Sequence, residues 1–580
     1  MAGVTWTRSR PGCESTRRSE RRALGTPSPS SACRCSWRRR RTTEERYAPS
    51  GIPLKPVYGP EDVAHLDHDR DIAGPGEYPY TRGLYPLGYR KVSWMKRQVS
   101  GYGLPEDTNR RQKELMAQGQ EGYGGQPTVM LTFDYPSNYG YDSDHPMSLG
   151  QVGKTGVVVD SLEDMERLFA GFPLDRMHTV FIIDAPAPIV VAMYLAVAES
   201  QGVDRRCLRG SITNNTMGAF IGNNMYVFPP RAGLRLMMDM VAFCAREAPL
   251  WNTVNLIGIN IRESGATAIQ ELAFDLAMGV QVVRTGLELG LAVDDFAPRL
   301  SFHFGLHRNF FEEVCKIRAA RRLWARLMRE RFGAQNPKSW QMRMLTQTCG
   351  SSLTYEEPLN NIARVALGAM AAVLGGTQAL ATASYDEAYA IPTDDAQRIA
   401  LQTQQIIEHE TGAGDVADPL GGSYYVEWLT DRMEQEARAY LERIEGMGGY
   451  VEALENGFIL QEVARSALQA QREIEDGQRI VVGVNRYCSG ARAPVEVFEH
   501  DPSTERIAVE RLRRLRSERD GAAVAERLEA VREAAGSGRP LMPLFIEAVK
   551  ARATMGELMA VLKDVYGESN RNPVLAGRPC

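Results

Sequence analysis

His303 and His307 bracket Gly305 at the end of an apolar run, and of the eight histidines in the chain His303 is the best placed for chemistry. An imidazole at the C-terminal end of a strand can exchange protons or hydrogen bonds with a substrate held over that end. Arg97, Arg299 and Lys338 are isolated bases beside aromatic or proline positions. Each could hold an anion, and each reads equally well as a surface or structural cation. The common constellations are missing: there is no phosphate loop, no Gly-x-Ser-x-Gly elbow and no His/Cys cluster. His65 and His68 lie three apart in a charged stretch and read as a solvated turn. The nine cysteines are scattered; Cys33 and Cys35 are one residue apart, and no pair has ligand spacing, so no metal site is expected.

The elements that must position these groups follow a repeating pattern. Strands are predicted at Thr128–Tyr135, Thr155–Asp160, His178–Ile183, Leu208–Asn214, Val254–Ile261, Leu300–Leu306, Trp340–Gln347 and Gln378–Ser384. Amphipathic stretches such as Ile189–Gln201, Arg231–Arg246 and Asn309–Arg331 lie between them. Strands that alternate with helices predict an α/β fold, a closed (βα)8 TIM barrel, with an open doubly wound sheet as the alternative. Several strands carry small or polar residues at alternate positions: Ser211 and Thr213, Gly258 and Asn260, Thr346 and Thr348, Thr382 and Ser384. Alternate residues share a face, so these predict either a polar, under-filled bore or strand ends that face loops.

Composition bounds the class. With 580 residues, 43% hydrophobic and 24% charged, the chain reads as a soluble, multi-part protein. A net charge of −4 gives no reason to expect nucleic acid, and no apolar run approaches the length of a membrane span. Scattered thiols suit a cytoplasmic location. Residues 1–46 hold a dozen arginines with Ser and Pro. They read as a basic disordered extension, as translated upstream sequence, or as a transit peptide. An N-terminal arm that contacts substrate is expected at 47–125, the barrel at 126–392, a helical linker region at 393–500 and a helical tail at 501–580. Within the later parts, Ala396–His409, Asp431–Ile444 and Ala551–Tyr566 are helix candidates, and Gly536–Pro540 is a break. Met555, Leu558, Met559 and Leu562 form an apolar face expected to be core.

Six stretches carry a family resemblance. They are Pro75-Gly-Glu-Tyr-Pro-Tyr-Thr-Arg-Gly-Leu-Tyr-Pro86, Gly140-Tyr-Asp-Ser-Asp-His-Pro146, Glu263-Ser-Gly-Ala-Thr267, Phe296-Ala-Pro-Arg-Leu-Ser-Phe302, Asn336-Pro-Lys-Ser339 and Asp386-Glu-Ala388 followed by Pro392-Thr-Asp394. Together they resemble the methylmalonyl-CoA mutase family. The resemblance implies a barrel threaded by the pantetheine arm of coenzyme A and capped by adenosylcobalamin. The cofactor would do the radical chemistry while the protein orients the acyl group and excludes solvent. Single-chain members carry an Asp-x-His-x-x-Gly motif for the lower cobalt ligand, and this sequence has none. The chain is therefore expected to be the large subunit of a split mutase, of the isobutyryl-CoA or 2-hydroxyisobutyryl-CoA type, working as a hetero-oligomer with a small cobalamin-binding subunit. A truncated gene is the alternative.

Carried over residue by residue, the resemblance puts Tyr85, Arg97, Arg299, Ser301, Lys338 and Gln378 along coenzyme A. It puts Glu387 on the adenosyl ribose, and Glu263, Gly350 and Ala388 towards cobalamin. The acyl pocket departs from the pattern. The family's carboxylate-gripping Tyr and Arg correspond to Val99 and Asn223, a Gln corresponds to Thr213, and the catalytic His corresponds to Asn260. His303 stands where the family usually has Phe, and Ala383 replaces an Asn. These departures predict an acyl-CoA other than methylmalonyl-CoA, with His303 and Asn260 making the polar contacts to the acyl group. A methylmalonyl-CoA mutase subunit with a rearranged pocket, or a non-catalytic acyl-CoA-binding or scaffold subunit, are the alternatives.

Overall fold

The computed structural model describes residues 46–489 and 495–569. The basic extension expected at 1–46 lies, up to residue 45, outside the described residues. Eight parallel strands form the centre: β1 (Met95–Arg97), β2 (Thr128–Thr132), β3 (His178–Ile182), β4 (Arg209–Ile212), β5 (Val254–Ile257), β6 (Leu300–Leu306), β7 (Met344–Thr348) and β8 (Ala379–Ala381). One sheet runs β5-β6-β7-β8-β1 and the other β2-β3-β4, continued by the two residues Trp251–Asn252 that precede β5. The sheets meet twice. Asn255 N–H donates to Thr213 O at 3.0 Å on one side, and Ser100 N–H donates to Met130 O at 3.1 Å on the other. The ring is thus the eight-stranded barrel expected from the sequence.

Its membership differs in one place. Thr155–Asp160, expected as a strand, makes a single bridge from Val157 to Phe133 beyond the end of β2. The strand it displaces is β1, which pairs Ala379 with Met95 and Ala381 with Arg97. Its sequence, Met-Lys-Arg, carries no apolar signal, because Lys96 is held by Glu121 and Glu408 rather than by packing. Two further strands differ in their bounds, one ending early and one starting late. Gly258–Glu263 turns into a short helix, so Asn260 is helical, and the strand expected from Trp340 starts at Met344.

The bore is polar, but not through all the residues expected. Ser211 and Thr213 face inwards. Thr346 and Thr382 face the helical layer, where Thr346 bonds Thr377 and Thr382 donates to Ala400 O. Their neighbours Leu345, Gln347 and Ala381 take the inward positions. Halfway along sits an apolar collar of Met95, Val99, Met130, Val180, Ile182, Leu345, Ala379 and Ala381.

Helices wrap the ring. α1 (Ala268–Glu288), α2 (Phe310–Arg326) and α3 (Tyr424–Gly446) pack together. Three fully buried bases of α2 are ion-paired, Arg318 with Glu427, Arg322 with Asp431 and Lys316 with Glu271, and the fourth, Arg321, donates to the carbonyls of Tyr80, Thr81 and Gly375. Lys316 also donates to Gly305 O, and Glu271 accepts from Gly305 N–H, so this buried network fixes the upper end of β6. The tail carries α4 (Met555–Tyr566), whose Met555, Leu558, Met559 and Leu562 are fully buried, as expected for core. Asp142 of the Gly140–Pro146 stretch anchors that helix. It accepts from Thr554 Oγ1 at 2.6 Å and Gly556 N–H at 2.7 Å, where the dipole and free N–H groups of a helix start favour a carboxylate.

Candidate functional site

A cavity of about 430 Å³ opens where the strands begin. Tyr85, Arg97, Arg299, Ser301 and Gln378 line it, five of the six residues expected along coenzyme A. Lys338, the sixth, is exposed in the short helix Pro337–Trp340 and does not line it. The sequence reading missed Arg209, Arg343 and His178 here. No aspartate or glutamate lines this cavity. Arg97 is 3% exposed, its Nε has no partner, and burial lowers its guanidinium to about 10. Arg343 is lowered to about 10 as well, by burial and then by Arg299. A cluster of under-paired guanidinium groups is built for an anionic ligand that comes from outside.

A second chamber of about 280 Å³ lies where the strands end. Val99, Thr213, Asn223, Asn260, Glu263 and His303 all line it, so residues spread from 99 to 303 come to one place. Asn260 gets there because Gly222 lets two helices touch: a Cβ on Gly222 would fall 2.2 Å from that of Asn260. His303 is 5% exposed and its Nε2 has no partner. Burial lowers it to about 3, the Gln347 side chain opposes that shift and Arg97 adds to it, so the ring is neutral at physiological pH.

One residue of this chamber escaped the sequence reading. Asp184, just beyond β3, is 4% exposed and lines the same space. Its Oδ1 accepts from Asn215 N–H at 2.9 Å. Burial raises its carboxyl to about 6, against the opposing bonds from Asn215 and Thr213. A carboxylate that follows an apolar strand in a barrel is a detectable signal, since active groups gather at strand ends. No lysine or arginine lines this chamber.

Beside it, a recess of about 320 Å³ includes Glu387, Ala383 and Val99. Glu263 accepts from Gly350 N–H at 2.7 Å and Ser351 N–H at 2.8 Å, which fixes the turn after β7. A Cβ on Gly350 would fall 2.5 Å from Glu387 Oε1, so glycine keeps this rim open. Burial among surrounding protein, then the Glu263 charge, pushes the Glu387 carboxyl up. Its side chain is open to solvent at the rim, so water moderates the first effect and the second persists. Ala388, next in the chain, is exposed on the same rim. Among the described residues no group of His, Cys, Asp and Glu could hold a metal ion, and no helix is long and apolar enough to cross a membrane.

Comparison with known proteins agrees with this geometry. The family model described as methylmalonyl-CoA mutase matches residues 47–568. The 2-hydroxyisobutanoyl-CoA mutase large subunit of Aquincola tertiaricarbonis is 42% identical over 533 residues, which is 92% of this chain and 94% of that one. Methylmalonyl-CoA mutase of Rhizobium meliloti is 40% identical over 91% of this chain and 73% of its own length. The mitochondrial methylmalonyl-CoA mutase of Homo sapiens is 40% identical over 91% and 69%. An eight-stranded barrel with a cationic entrance, an open opposite rim and a matching sequence along nearly its whole length belongs to the methylmalonyl-CoA mutase family of cobalamin-dependent isomerases.

Proposed function

We propose that this chain is the acyl-CoA-binding large subunit of an adenosylcobalamin-dependent mutase that rearranges an acyl group without a free carboxylate. The charge inventory of the upper chamber carries the reading. Its acids are Asp184 and Glu263, its other titratable residues are a neutral His303 and Tyr135, and it has no lysine or arginine. A substrate carboxylate held there would lose hydration, meet no lining lysine or arginine and face two acids, at a cost of up to several kcal/mol. Methylmalonyl-CoA carries such a carboxylate. The relatives named for it support the class of reaction, and the chamber supports a different acyl group.

The cationic entrance suits the phosphates of coenzyme A, with Arg299, Arg343 and Arg97 as the contacts. The collar then surrounds the thioester arm, and the acyl group reaches Val99, Thr213 and Asn260. Asn260 can donate a hydrogen bond to the thioester carbonyl, but it cannot supply a proton as histidine would. At the upper rim, the Glu263–Glu387 pair beside Gly350 fits a ligand rich in hydroxyl donors, as the adenosyl ribose is, and glycine leaves the room for it. Adenosylcobalamin bound there supplies a carbon-centred radical by homolysis of its cobalt–carbon bond. The protein's part is to hold the acyl group still and dry beneath it. The lower cobalt ligand is assigned to a separate small subunit, in keeping with the "large subunit" in the Aquincola protein's name.

The test is anaerobic turnover of a panel of acyl-CoA thioesters with adenosylcobalamin and a small cobalamin-binding subunit. A new isomer from an uncharged acyl group, with methylmalonyl-CoA inert, is the expected result. Efficient formation of succinyl-CoA would overturn the reading.

A further inference from the structure

The upper chamber is not simply apolar once its carboxylate grip is gone. Ile182, Ile257, Ile259, Val99 and Phe133 supply hydrophobic wall, as a plain branched acyl chain would require. Two polar groups interrupt that wall. His303 Nε2 is buried without a partner. Asp184 is equally buried, with Oδ1 taken by the Asn215 N–H. They come from β6 and β3, three strands apart on the eight-stranded ring, and so approach from opposed walls.

Asp184 already accepts from the Asn215 N–H and the Thr213 side chain, which leaves only its charge unexplained, whereas His303 Nε2 has no partner. An asparagine at 184 would accept the Asn215 N–H equally well without a buried charge, and a phenyl ring at 303 would fill the same wall without an orphan nitrogen. Buried polar groups that lack partners are costly, and where they line a cavity the missing partner is commonly a ligand. A carboxyl displaced to about 6 by burial fits the same pattern.

We propose that Asp184 and His303 form a two-sided clamp that selects a hydroxyl-bearing acyl group, an inference that rests on the uncharged-acyl reading above. A hydroxyl can donate its proton to the Asp184 carboxylate while its oxygen accepts from His303 in the tautomer protonated at Nε2. An ammonium group is the other donor that would satisfy Asp184. It is disfavoured because an ammonium group has no lone pair with which to accept from a His303 Nε2–H. A site built around a substrate hydroxyl discriminates strongly against the analogue that lacks it, since the His303 nitrogen is then left unpaired and the Asp184 carboxylate loses a donor.

The experiment measures equilibrium binding to the full chain of three thioesters with one branched carbon skeleton: unsubstituted, hydroxylated and amino-substituted. Coenzyme A alone is the control. The expected result is hydroxylated acyl-CoA at least tenfold tighter than the unsubstituted compound. His303→Phe and Asp184→Ala should each bring that ratio to within about threefold of unity, with coenzyme A affinity unchanged. His303→Phe keeps the wall filled, so it remains informative if Asp184→Ala folds poorly. A wild-type ratio near one, a ratio unmoved in both variants, or tighter binding of the amino compound would each overturn the clamp. Tight binding of a carboxylate-bearing thioester would instead overturn the uncharged-acyl reading, and leaves the hydroxyl ratio to be judged separately.

Discussion

The two ends of the barrel differ in charge more than in shape. The lower cavity is lined by four arginines, Arg97, Arg209, Arg299 and Arg343, and by no acid. The upper chamber is lined by Asp184, Glu263 and a neutral His303 and by no lysine or arginine. The apolar collar separates the two linings, although Arg97 at the lower end still acts on His303 across it. The lesson is a division of labour. An end that every coenzyme A thioester must use needs fixed cations, whereas the end that meets the acyl group sets specificity by which charges it lacks.

The largest effect should come from stripping the lower end. Arg299→Ala with Arg343→Ala removes two charge-assisted contacts, worth about 2 kcal/mol each. The KM for any acyl-CoA should then rise by roughly two to three orders of magnitude, with little change in the preference among acyl groups. A change of preference instead would show that the two ends are not separate.

A smaller effect should follow from giving the upper end a charge of the lower kind. Asn223 is exposed at the chamber's edge, where an arginine can be accommodated. Asn223→Arg should improve binding of a carboxylate-bearing acyl-CoA by about tenfold, in line with one charged hydrogen bond. Competition binding against an uncharged thioester reads it, and an unchanged ratio would mean that the missing cation is not what excludes carboxylates.

The smallest effect is on stability. Asp184 is raised to about 6 from its usual 3.8, so the folded state holds its proton more tightly than the unfolded chain. The associated stability is complete below pH 3.8 and is lost as pH rises through 6. Asp184→Asn should therefore stabilise the protein by about 1–3 kcal/mol at pH 8 and not at pH 4. Thermal melting at the two pH values checks this, and a destabilised variant at pH 8 would show that the carboxylate is structurally required.

Much of this arrangement was legible in the sequence, and the failures have physical causes. Seven of the eight strands follow from apolar runs, because a strand buried on both faces must be apolar. β1 did not, since Lys96 and Arg97 are buried by ion pairing and by a ligand cavity rather than by packing. Thr155–Asp160 misled for the converse reason: Val157 and Val159 are fully buried in a core cluster with Phe133, Met165 and Leu168, with only one ladder bridge. Val99, Thr213, Asn223, Asn260 and His303 were placed by the family pattern and do meet in one chamber. Arg209, Arg343 and Asp184 match no motif, and a lone charge in sequence looks like any solvated one.

The sequence by itself determined the alternation of strand and helix, the family, and the loss of Tyr and Arg at the positions now held by Val99 and Asn223. Those are properties of residue type and order. Only the tertiary structure decided that Asp184 and His303, 119 positions apart, face one enclosed space, and that His303 stays neutral there. Desolvation and the nearness of Arg97 set that charge state, and both arise from the closed ring rather than from any local stretch of chain.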